Sequence, residues 1–312
     1  MRGAETRVRQ VCYPDIERTN IAPERAVYHC ALKDRTSFAM IIQTAPAGQK
    51  RLAIMMSQHT ALCQQFAQVF GNAQFESLDP LDLMIYVISN HDAGWLEFDR
   101  NPAIDPATSL PYNLVETPPE YITVTSRLSP DFNQRHHSYS GLISSMHSWG
   151  LYNGRYGLSK MVLLDKIAEQ DRPLADKMLN GELDRQARLK RELERDPSTA
   201  AWLDGRKLFQ NYKQLQFIDT LALYFNRIHP SERAEQVFEN VPMSANEDVS
   251  VSIRPVDAGI YALSPFPFAT DNSEFAYAGR RIAPDLGNTE GGWPAALKRT
   301  PTEWERFRLV PA

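Results

Sequence analysis

The sequence predicts an α+β fold, predominantly α, with a small antiparallel β-sheet formed by early and late strands. Three observations carry this reading. Apolar residues recur at helical spacing through most of 57–229. Short runs rich in β-branched and aromatic residues, bounded by Gly, Pro and Asn, sit near 37–58 and 249–283. The 312 residues, 43% hydrophobic and 23% charged, are enough for a sizeable globular core.

Residues 1–25 carry no periodicity and are expected to form an irregular N-terminal arm, with 26–312 as a single domain. SFAMIIQT (37–44) and RLAIMMSQ (51–58) flank APAGQK, whose Pro-Ala-Gly is turn chemistry, so a hairpin is expected. Helical spacing follows over 57–71, stopped by Gly71. Asp79-Pro80 reads as a cap with proline in the first turn, opening a helix that runs to about Asp92 and ends at Gly94. Residues 99–135 are rich in Pro, Asn, Asp and Thr and read as a long loop, of the kind that serves as a lid. Helix resumes at 137–150. The charged stretch 159–195 reads as helix interrupted near Asp171–Pro173 and Asn180-Gly181. Within it RQARLKRELERD (185–196) is polar nearly all round and is expected to face solvent. A helix over 206–229 stops before Pro230. VSVSIRP (249–255), GIYALSP (259–265) and FAYAGRRIA (275–283) supply the late strands, and TPTEWERFRLV one more.

The net charge is −4 with both signs mixed. A nucleic-acid or anionic-membrane partner would call for a dense basic patch, and neither is expected. Cys12, Cys30 and Cys63 are odd in number and contain no CxxC pair, which argues for free thiols and against a thiolate zinc site. The N-terminus has no apolar h-region and no stretch reaches the ~18–20 residues of a membrane helix, so a cytoplasmic protein is expected.

Candidate chemistry comes from ionisable groups on apolar faces. His91-Asp92 ends the apolar run PLDLMIYVISN, and burying such a pair is costly unless a cation or full hydrogen bonding compensates. On an α-helix, positions three, four and seven apart share a face. His59 therefore joins Leu62, Phe66 and Phe70, and His147 joins Tyr139, Ile143 and Met146. Asp219 joins Tyr212, Leu215 and Ala222. Each alone fits a hydrogen-bonded core residue. Together they point to one centre holding a divalent or redox transition metal, one or two ions of Fe, Mn, Zn or Ni.

The order His59, His91-Asp92, Asp219 resembles the HD superfamily of helical, mostly metal-dependent phosphohydrolases. HDAGWLEFDRNPAIDPATSLPYN, SSMHSWGLY, SPFPF and AGRR extend the resemblance over roughly 35–285, to an HD-like bacterial family of unsettled activity. It implies an HD-like helical core, ligands His59, His91, Asp92 and Asp219, and a further ligand or substrate contact at His147, with His136 or His137 as alternatives. Many superfamily members carry a lysine soon after the His-Asp pair, and here Gly94-Trp95 follow instead. The function implied is a metal-dependent hydrolase of a small, anionic, phosphorylated molecule, with metal-activated water and Asp92 as the catalytic carboxylate. A di-iron HD-type oxygenase and a non-catalytic ligand-binding protein are the alternatives, and an oligomer is left open. Trp95, Asp99 and Arg280 are candidate substrate contacts. Asp99 would reach the centre from the long loop; the plainer readings are packing for Trp95 and a surface arginine at 280.

Overall fold

Strand β1 (Ala39–Ile42) and strand β2 (Arg51–Ile54) form the expected antiparallel hairpin, in the register Ile41 to Ile54. The computed structural model describes residues 39–100 and 102–312. The expected arm over 1–25 lies outside the described residues, as do Cys12 and Cys30, and the described residues cluster as one compact unit. Helix α1 (Met56–Val69) follows the hairpin directly, and then come α2 (Leu81–Asn90) and the short α3 (Leu96–Arg100). A two-residue strand β3 (Tyr112–Asn113) precedes α4 (Pro119–His136) and α5 (Ser138–Tyr152). The next helices are α6 (Gly154–Gly157), α7 (Arg172–Leu193), α8 (Pro197–Ala200) and α9 (Gly205–Arg227). Strands β4 (Gln236–Pro242), β5 (Asp248–Asp257), β6 (Ile260–Ser264) and β7 (Ser273–Ile282) come next. Helix α10 (Gly292–Arg299) and strand β8 (Glu303–Pro311) close the chain.

The sheet corrects the expectation of a small antiparallel layer on a helical core. It has eight strands in the order β3-β1-β2-β7-β8-β6-β5-β4 and is mixed, with β1–β3 and β6–β8 parallel. Helix makes up 54% and strand 20% of the described residues. Both parallel pairs join strands far apart in the chain, which a hairpin cannot do and a crossover can. Early and late strands meet where β2 pairs with β7, Leu52 opposite Arg281. The edge strands escaped the sequence pattern for local reasons. β3 is too short to show alternation, and β4 is broken by a register shift between Phe238 and Val241.

Two apolar layers cover the β1–β2 end. Ile41 and Ile54 face the main core, whereas Met40, Ile42 and Ala53 pack with Ile282, Trp293 and Leu297 on the other side. Burial on both faces explains why these strands read as continuous apolar runs. On the main face, α1 packs against α2, α9 and β7, and α5 packs against α2, α4, α7 and α9. These contacts bring the inward stripes of α1 and α9 against the end of α2.

Three expectations about helices are overturned. Residues 119–136 are helix, so the long loop ends near 118. Pro118 and Pro119 stand at the cap and first turn, where proline is tolerated, and Pro130 lies inside. Helix α7 runs unbroken through Asn180-Gly181. Its charged C-terminal half is mostly exposed, as expected, with one buried stripe of Gln186, Leu189 and Leu193, and Arg185 pairs with Asp131 of α4 and Glu182. Asp79 does not cap α2, whose N-cap is Pro80 with no side-chain bond; the Asp79 carbonyl accepts from Asn211 instead. Among the described residues no helix is long and apolar enough to cross a membrane.

Candidate metal centre

Helix α1 begins without a capping side chain of its own. Its first N–H groups, on Met56 and Ser57, donate to the two carboxylate oxygens of Asp99 at 2.8 and 2.9 Å. An acceptor from α3 thus fixes the start of the helix that carries His59, as a local cap would. Burial pushes the Asp99 carboxyl up to about 6, against the pull of those two backbone donors.

Helix α2 stops one residue before His91. The 3-10 turn Ala93–Trp95 that follows brings the chain against α4. Gly94 N–H donates to Ser129 Oγ at 2.9 Å, and a Cβ on Gly94 would sit 2.2 Å from the Thr125 carbonyl oxygen. No other residue fits that approach. Asn133 of α4 donates to the Asn90 carbonyl, tying the end of α2 down.

Each of the three histidines is held through Nδ1. His91 Nδ1–H donates to the Ile88 carbonyl at 2.7 Å. His59 Nδ1 meets Asn226 Oδ1 of α9 at 2.9 Å. His147 Nδ1 meets the Gln216 side-chain amide. For His59 and His91 the bond fixes the tautomer and leaves Nε2 as a lone-pair donor, the arrangement that metal-binding imidazoles use.

Those Nε2 atoms converge on carboxylates. His59 Nε2 is 3.2 Å from Asp219 Oδ1, and His91 Nε2 is 3.7 Å from the same oxygen and 3.4 Å from Asp92 Oδ2. The His91 ring centroid lies 5.5 Å from that of His59 and 5.1 Å from that of His147. Donor atoms of His91, Asp92 and His147 all lie within 4.8 Å of one another, as do those of His59, Cys63 and His91. His91 Nε2 is buried and meets neither carboxylate in hydrogen-bond geometry.

The electrostatics favour positive charge at this spot. Burial alone would push the His91 imidazole down, but Asp92 and Asp219 together lift it to about 9. Burial works to raise Asp219 too, yet the imidazoles of His59 and His91 hold it well below the usual carboxylate range. Asp92 is pushed up by burial, and His147, buried beside His91, is held down at about 3. Two carboxylates and three largely buried imidazoles fit a cation: the donor types suit a transition metal, and the buried His91 Nε2 has no hydrogen-bond partner.

Residues 40–283 match the family described as protein of unknown function DUF3891. The chain belongs to that family. No curated protein and no solved structure matches it. The DUF3891 match spans every element of the cluster, from α1 to α9.

In this DUF3891 chain five of the residues singled out from sequence come together: His59, His91, Asp92, His147 and Asp219. Trp95 is buried nearby, its ring edge-on to Phe98 at 5.7 Å. Asp99 and Arg280 line a separate cavity of about 530 Å³ beside the start of α1, with Arg100 and Lys298. Both Asp99 oxygens are already engaged by α1, and Arg280 Nε donates to the Thr300 carbonyl. His136 stacks on Tyr86 and His137 accepts from Tyr139 N–H at the start of α5, so both have other work. Sequence reasoning missed Cys63, which the structure places in the cluster against the expectation of a centre without thiols. It also missed Asn226 and Gln216. Asn226 lies two turns beyond Asp219 on the same face, and Cys63 one turn beyond His59, so helical spacing was an available signal for both.

Proposed function

We propose that this protein is a metal-dependent hydrolase of a small anionic, phosphorylated molecule, working through an HD-type centre. The single observation that carries the reading is the convergence of His59, His91, His147, Asp92 and Asp219, with the buried His91 Nε2 close to two carboxylates but hydrogen-bonded to neither. The residues would hold one or two ions, with Asp219 beside both His59 and His91. When bound, such a metal lowers the pKa of a coordinated water and supplies hydroxide near neutral pH. Asp92 is the most open of the carboxylates, its side chain 16% exposed against 7% for Asp219. That openness supports a role for Asp92 in orienting the water or taking its proton.

A neighbouring cavity with more basic than acidic lining, Glu239 being its one carboxylate, supports an anionic substrate. This cavity of about 700 Å³ is lined by Arg155, Lys160, Lys213 and Gln216, and Gln216 touches His147. Lys213 pairs with Asp248, but among the described residues Arg155 and Lys160 have no ion-pair partner. Arg155 sits at φ 53°, in the left-handed region, in a short segment bent out of α5. Strain of this kind collects at binding sites.

The test is a screen of the full chain, reconstituted separately with manganese, iron and zinc, against phosphomonoesters and phosphodiesters. Turnover that chelation and Asp92→Asn both abolish is expected. No turnover from any metal-loaded form on the panel counts against the reading. The closeness of His147 to His91 also supports a second reading, a di-iron oxygenase; oxygen uptake by the iron-loaded protein without ester hydrolysis would select it.

A further inference from the structure

Cys63 is fully buried on α1, one helical turn beyond His59, and the function above gives it no role. A structural cysteine of this kind is usually surrounded by carbon and behaves as a small hydrophobe. This one sits in the apolar core but also meets the cluster: its Sγ is 3.8 Å from His59 Nε2 and within 4.8 Å of a His91 ring nitrogen. Independently, the fully buried His91 Nε2 stands without a hydrogen-bond partner, within 4.8 Å of both that sulfur and a His59 nitrogen. Residues four apart on a helix present their side chains to one point, so His59 and Cys63 form a natural chelating pair.

We propose that Cys63 is a ligand of the metal centre, making a soft end of Cys63 and His59 beside a hard end of Asp92 and His147. The proposal rests on the reading of this site as a metal centre. His91 belongs to both groups of donors, but its Nε2 has one lone pair and can serve one ion only. The donor set therefore spans more room than a single tetrahedral site needs. When the sulfur binds, the S–H bond breaks, a metal–sulfur bond forms, and one proton leaves to solvent. No electron is transferred. A thiolate at one end selects thiophilic ions such as zinc, cobalt(II) or iron over magnesium or calcium.

The test uses cobalt(II) as the probe, loaded anaerobically into the full chain carrying Cys12→Ser and Cys30→Ser, so that Cys63 is the only thiol. The expected result is visible ligand-field bands together with a near-ultraviolet sulfur-to-cobalt charge-transfer band. Further replacement of Cys63 by serine should remove the charge-transfer band and keep the ligand-field bands. If that variant does not fold, X-ray absorption on the zinc-loaded single-thiol protein gives the same answer, through a zinc–sulfur distance of about 2.3 Å. Cobalt bound with ligand-field bands but no sulfur band overturns the role of Cys63 and leaves the metal centre standing. No cobalt bound at all overturns the metal centre itself.

Discussion

His59 on α1 and Asn226 on α9 meet at 2.9 Å, imidazole Nδ1 to amide oxygen, and this contact turns His59 Nε2 toward Asp219, two turns earlier on the same face of α9. Residues 167 apart in the sequence are thus joined through a single ring, with the partner bond on one side and the carboxylate on the other. Replacing Asn226 by Ala leaves the ring free to rotate and to change tautomer. Metal affinity should fall by about 10–100-fold, the usual cost of losing such an orienting partner, with the helical signal unchanged. Competition against a chelating dye measures it, and an unchanged affinity would mean that the ring is held by packing alone.

Asp99 gives a pH prediction. Its carboxyl is held up at about 6 by burial, well above the usual carboxylate value near 4. The native state therefore keeps a proton that the unfolded chain has already released, and stability falls as pH rises from about 4 to about 6. At about 1.4 kcal/mol per pH unit, the fall attributable to this group is roughly 3 kcal/mol. Asp99→Asn should flatten that segment of the stability profile in urea unfolding. At pH 4 the parent's Asp99 is protonated and, like the amide, offers one carbonyl acceptor to the N–H groups of Met56 and Ser57, so the two proteins should be about equally stable there. A profile with the parent's slope would show that Asp99 titrates normally.

Gly94 is set by contact rather than by backbone conformation. A methyl group there would press on the Thr125 carbonyl oxygen and on Ser129. Gly94→Ala should cost about 1–3 kcal/mol or more, because backbone rather than a flexible side chain must yield. It should also loosen the His91-Asp92 end of α2. A thermal melt indistinguishable from the parent would show that α4 can move aside.

Much of this centre was legible in the helical faces. A buried imidazole or carboxylate on an apolar stripe stands out against its neighbours, so His59, His147 and Asp219 could be found without coordinates. Amides do not stand out in the same way: Gln216 and Asn226 lie among apolar residues on α9 and look like ordinary helix positions. Cys63 was hidden for another reason. Cysteines were read by number and spacing along the chain, whereas the relevant spacing was to a histidine. The sheet was less readable than the helices. Its parallel pairs join segments separated by dozens of residues, and β4 loses its alternation where Asn240 adopts φ 58°. Helix α4 was obscured by Pro118, Pro119 and Pro130, which mimic loop composition although the first two stand where a helix accepts proline. Asp99, read from the sequence as a substrate contact, lies on α3 and accepts from the backbone of α1, a contact that sequence spacing does not reveal.

The most direct measurement is the metal content of the purified chain, by elemental analysis, beside His91→Ala and Asp219→Ala. Both variants should lose most of the bound metal while circular dichroism shows the parent's helical content. Variants that retain the parent's metal, or a parent that takes up no stoichiometric ion under aerobic or anaerobic reconstitution, would contradict the shared centre.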